Sequence, residues 1–110
     1  MIESDVVVAI KVAESLSREL DDDYVEFWSL LWHLRRALPD ADDQLLRTLS
    51  QAILTALTDS NVALGDLDGK TGTFLPWDNP STSVATAMSM WQDLGRDPNM
   101  GDIGWLARTR

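Results

Sequence analysis

Apolar positions recur at helical spacing through the first half of the chain and then give way to short alternating runs. From Ser4 to Leu20, Val6, Ala9, Ile10, Ala13, Leu16 and Leu20 repeat at helix spacing, with Ser4 as the expected N-cap. The β-branched run Val6-Val7-Val8 also suits a strand, but the long amphipathic continuation decides for helix. Asp21-Asp22-Asp23 breaks this element, and Asp23 with Glu26 has the spacing of a capping box. That spacing predicts a second helix over Tyr24 to Leu38. Its apolar positions, Phe27, Trp28, Leu30, Leu31, Trp32 and Leu34, imply burial on more than one side. Arg35 and Arg36 suit its negative end, and Pro39 stops it. A third helix starts at Asp40 as N-cap and carries the stripe Leu45, Leu49, Ala52, Ile53, Ala56 and Leu57. It ends at Asp59-Ser60-Asn61, where asparagine can adopt the left-handed conformation usually given to glycine.

The period then changes. Val62-Ala63-Leu64 and Thr73-Phe74-Leu75 flank Asp68-Gly69, which predicts a hairpin closed by a type I′ turn. Asn79 and Pro80 open a fourth helix lined by Val84, Ala87, Met88, Trp91 and Leu94, and Gly95 ends it. After the turn-rich stretch Arg96 to Gly101, Asp102 to Arg108 alternates around Ile103 and Trp105 and predicts a third strand beside the hairpin. The expected fold is one α+β domain over 1–110 resembling a winged helix-turn-helix: three N-terminal helices, a β-hairpin, a fourth helix and a C-terminal third strand.

Charge changes what such a fold is expected to do. Eighteen acidic residues against nine lysines and arginines give −9, which repels phosphate backbones and attracts basic surfaces. The expected recognition helix, Ala41 to Asp59, holds Asp42, Asp43 and Asp59 against Arg47 alone, and the wing tip sets Lys70 against Asp66 and Asp68. A DNA reader needs the opposite sign at both places. Arg35-Arg36 and the tail Arg108 to Arg110 are too sparse for a footprint. There is no cysteine, so disulfides and thiolate chemistry are excluded. The N-terminal stretch has no basic leader, carrying Glu3 and Asp5 instead, and no apolar run reaches the roughly 20 residues of a membrane span, so a cytoplasmic location is expected.

Each catalytic motif fails on a particular residue. Gly65-Asp66-Leu67-Asp68-Gly69-Lys70-Thr71 approaches a P-loop, but three residues separate its glycines where four are needed, and a strand follows where a helix should. Asp66 and Asp68 fall short of a calcium loop, since position twelve from Asp66 is Trp77. His33 is the only histidine, and no serine sits in a nucleophile-elbow context. A small enzyme using His33 with scattered carboxylates remains a third reading. No metal or cofactor is expected. Of the five tryptophans, Trp28, Trp32 and Trp91 read as core, while Trp77 and Trp105, beside Asp78 and Asp102, read as half-exposed anchors for a basic partner.

The segment from Leu45 through FLPWD to WQDLGRDPNMGDIGWLA resembles a family of small, mostly actinobacterial proteins of uncharacterised activity. The resemblance runs from about Tyr24 to Ala107, is most specific over LGRDPNMGDIGW (Leu94 to Trp105), and often has glycine where this chain has Asn61. It implies a winged-helix-like fold and, by analogy with small acidic immunity proteins, a module that covers a basic toxin domain. The expected partner-binding residues are Asp66, Asp68, Trp77, Asp78, Asp97, Asp102 and Trp105, with Asp21 to Asp23 and Glu26 as the alternative acidic face. A winged-helix transcription regulator is the alternative function. A homodimer through the tryptophan-rich second helix is the alternative assembly.

Overall fold

A computed structural model describes residues 4–109; Glu3 and Arg110, invoked above, lie outside them. The elements run α1 (Asp5–Asp22), β1 (Val25–Glu26), α2 (Phe27–Ala37), α3 (Asp43–Thr58), β2 (Val62–Leu67), β3 (Phe74–Pro76), a 3-10 turn (Pro80–Thr82), α4 (Ser83–Leu94) and β4 (Trp105–Arg108). The fold is α+β, with four helices and a four-stranded antiparallel sheet of order β1-β4-β2-β3.

Ser4 caps α1 as its type predicts, its hydroxyl accepting from the Val7 N–H at 3.2 Å. The buried face of that helix is Val8, Val12, Leu16 and Leu20, spaced by four, with Ala9 and Ala13 beside it. Val6 and Ile10, expected inside, are exposed. A run of three valines carries no helical phase, so the stripe had to be set by the residues further along.

The largest correction falls at Tyr24 to Glu26. The expected capping box is absent: Asp23 accepts from the Tyr24 N–H, and Val25 and Glu26 pair with Leu106 and Trp105 as an edge strand. Helix α2 starts only at Phe27, whose N–H donates to the Gly104 carbonyl at 3.1 Å. Trp28 and Trp32, expected in the core, are 38% and 44% exposed, because the buried stripe of α2 is Phe27, Leu30, Leu31 and Leu34. At α3 the cap is Asp42 and not Asp40, with Asp42 Oδ1 accepting from the Leu45 N–H at 2.8 Å. The stripe of α3 turns accordingly: Leu46, Leu49, Ile53, Leu54 and Leu57 are buried, while Ala52 and Ala56 face out.

Asn61 adopts φ +67° at the end of α3, as expected of its position. The hairpin that follows turns differently. Asp68 N–H donates to the Thr73 carbonyl, Gly72 N–H donates back to the Asp68 carbonyl, and the left-handed residue is Gly72 rather than Gly69. Asp68 Oδ1 accepts from the N–H groups of Lys70 and Thr71 and shapes this longer loop. Trp77 N–H bonds the Leu64 carbonyl and carries the pairing one residue past β3.

Asn79 does not cap α4 directly. The 3-10 turn intervenes, and the Asn79 side chain accepts from the Ser81 hydroxyl. Gly95, at φ +67°, ends α4. The last strand is shorter than expected, Trp105–Arg108, and lies between β1 and β2. Helices and sheet share one core, in which Val25, Val62, Leu64 and Leu106 meet the buried faces of all four helices. Ala63, Gly65, Trp105 and Ala107 alternate to the other face. There the rings of Tyr24 and Phe74 meet with centroids 5.6 Å apart. Among the described residues no helix is long and apolar enough to cross a membrane.

Candidate functional site

The acidic residues expected to meet a partner are largely occupied by their own chain. Asp66 Oδ2 accepts from Trp77 Nε1 at 3.1 Å, and the Trp77 ring lies against Gly104, where a Cβ would come within 3.0 Å of it. Asp68 is engaged in its loop, and the Lys70 and then the Thr71 N–H hold its carboxyl below the usual aspartate range. Asp97 pairs with Arg35 at 2.6 Å, and that hydrogen bond raises the already high pKa of the guanidinium. Asp102 accepts from Arg96 at 2.8 Å and from the Asn99 N–H at 2.7 Å; the arginine first, then the amide, lowers its pKa. Asp78 is exposed. Thus Asp66 and Trp77 are neighbours, Asp97 and Asp102 brace one loop, and Asp68 stands at the hairpin tip.

The stretch from Leu94 to Trp105 has local structural reasons for several of its residues. Pro98 is fully buried, Gly101 has φ +81°, and Gly104 leaves room for the Gly65 carbonyl, 2.8 Å from where a Cβ would stand. These residues position β4 and hold the loop against α2.

A different region collects exposed apolar surface. Tyr24 (40% exposed), Trp28, Met100 (75% exposed) and Trp105 line a groove of about 450 Å³ between α1, β1, α2 and the loop before β4. Glu19, Asp22 and Asp23 stand along it, and Glu26 lines it from within. Trp28 also borders a second groove with Trp32 and Arg35, so the aromatic surface continues along α2. Of the expected anchors, only Trp105 belongs here. Tyr24, Trp28 and Met100 were missed because their exposure depends on the phase of α2 and on the path of a distant loop.

Several basic residues are also engaged. Arg36 lies over the Trp32 ring at 5.2 Å, and Arg47, the one cation of α3, lies over Trp91 at 4.8 Å. Arg108 donates to Ser17, and its Nε sits 3.0 Å from Asp21 Oδ1, an ion pair without hydrogen-bond geometry. The outward residues of α3 include Gln44, Thr48, Gln51 and Thr55, with Asp59 just past its end, and both threonine hydroxyls bond back to their own helix. His33 Nε2 meets Glu19 Oε2 at 2.6 Å between α1 and α2. Among the described residues no three His, Asp or Glu side chains are grouped to hold a metal ion. Neither a protein-family model, nor a curated protein, nor a solved structure matches the chain.

Proposed function

We propose that this chain is a non-enzymatic protein-binding module that docks on a basic protein, in the manner of an immunity protein covering a toxin domain. The observation that carries the reading is the strip of exposed Tyr24, Trp28 and Trp32, continued by half-buried Trp105, beside carboxylates. Large aromatic side chains that can be desolvated at the centre of a contact supply affinity, and a net charge of −9 steers a cationic partner towards them. The likeness to small actinobacterial proteins belongs to the same proposal. Co-purification with the product of the adjacent gene, followed by calorimetry across salt concentrations, tests it. Stoichiometric binding that weakens as salt rises is expected, and recovery of no basic partner counts against it.

The second reading is a winged-helix regulator. It is favoured by the order helix, strand, helix, helix, hairpin, with α3 in the place of the recognition helix. Against it, the one arginine of α3 is stacked on Trp91 and the hairpin tip offers only Lys70. A gel shift on its own promoter with a steep salt dependence would establish this reading over the first.

A further inference from the structure

We propose that the groove between α1, β1, α2 and the loop before β4 receives an arginine side chain of the basic partner, with Glu26 as the carboxylate that meets the guanidinium. The inference rests on the protein-binding reading and names the chemistry of its contact. It starts from an imbalance. Glu26 is the only buried charged residue among those described, at 6% exposure. Acids are almost never buried to this extent unless paired. Four acids elsewhere in the fold, all far more exposed, do have basic partners: Asp97 has Arg35, Asp102 has Arg96, Asp21 has Arg108, and Glu19 has His33. Glu26 has none among the described residues. Its Oε2 accepts a hydrogen bond from the Gly101 N–H at 3.1 Å, which serves one oxygen and cancels no charge.

The walls around this carboxylate suit a guanidinium more than an ammonium. Tyr24, Trp28 and Trp105 offer aromatic faces or edges, and Met100 adds a polarisable, exposed side chain. A guanidinium is planar and weakly hydrated, stacks on aromatic rings, and presents paired donors to a carboxylate. Asp22 and Asp23 at the rim add attraction for any cation approaching from solvent. The same charges work against a second copy of this chain, since each carries −9.

The test uses the whole protein and its tryptophan indole N–H signals, assigned by single substitution. The probe is the peptide acetyl-Gly-Arg-Gly-Arg-Gly-amide at physiological salt, compared with its citrulline isostere, which keeps the shape and removes the charge. The expected result is a saturable shift of the Trp28 and Trp105 indoles with arginine and none with citrulline. Glu26→Gln keeps an acceptor for Gly101 and removes the charge, and it is expected to weaken binding at least tenfold. Trp28→Ala, at an exposed helical position, is expected to weaken binding as well and serves if Glu26→Gln fails to fold.

Equal response to citrulline, unchanged affinity in both variants, or shifts confined to Trp77 would overturn the proposal. So would concentration-dependent shifts of Trp28 and Trp105 without peptide, which would assign the groove to a second copy. If the natural basic partner binds while these substitutions change nothing, this inference fails and the broader reading stands. If the arginine peptide fills the groove and the product of the adjacent gene is not bound, the groove's choice of arginine stands and the immunity-like reading fails.

Discussion

The carboxylates of the hairpin and of the loop before β4 meet different surroundings from those beside β1. Asp66 holds an indole, Asp68 holds a loop, and Asp97 and Asp102 each hold an arginine. Around β1, Glu26 is buried without a cation among the described residues, and Asp22 and Asp23 flank exposed aromatic rings. The contrast shows that the density of acids along the chain does not foretell which of them the fold engages and which it leaves without a cation; that depends on long-range pairing.

If the hairpin side is structural, its substitutions should damage the fold before they damage binding. Gly65→Ala is the most severe test, because the new Cβ would stand 2.3 Å from the Leu75 carbonyl and 2.8 Å from Pro76 Cα. A loss of about 3 kcal/mol or more is expected in urea unfolding. Wild-type stability in this variant would mean that β2 and β3 can part enough to admit the methyl group. Trp77→Ala should cost about 2 kcal/mol, less than the 3–5 of a fully buried aromatic, and should leave binding of the arginine peptide unchanged. Loss of that binding with the fold intact would move the docking face back to the hairpin.

Acid titration sharpens the same contrast. Asp68 and Asp102 titrate below the usual aspartate range in the folded chain. Their contribution to stability is therefore complete above the unfolded value, near pH 4, and is lost as pH falls through the lowered folded values. A double Asp68→Asn, Asp102→Asn variant should be less stable than wild type at pH 7, with the gap closing below about pH 4 in thermal melts. A gap independent of pH would detach both carboxylates from the stability of their loops. The smallest effect belongs to the groove side, where Trp28→Ala, at a ring 38% exposed, should cost about 1 kcal/mol, less than at Trp77. A larger loss would mean that the ring contributes to the core and is not held in reserve for a partner.

Much of the fold was legible because its signals are local. Ser4 as a cap, Asn61 and Gly95 as left-handed stops, and the hairpin with a strand beside it all follow from neighbouring residues. The errors share a cause. Glu26 carries a capping-box spacing, but strand pairing with Trp105, far along the chain, takes precedence over that local pattern. Asp-Gly at 68–69 fits a two-residue turn, yet the side chain of Asp68 and the freedom of Gly72 close a longer loop. Trp28 and Trp32 look like core in a sequence this apolar, and only the phase of α2 turns them outward. The acids and aromatics of the groove come from segments more than 70 residues apart, such as Glu26 and Trp105, so no single window of sequence could assemble it.

The position of β4 between β1 and β2 also has a consequence for biosynthesis. As the polypeptide leaves the ribosome, α1, α2 and α3 can begin to associate, but Val25–Glu26 has no neighbour to pair with until Trp105–Arg108 has emerged. Closure of the sheet is thus a late event in maturation, and a nascent chain stalled before that point would still expose the edge of β2 to chaperones or to other chains.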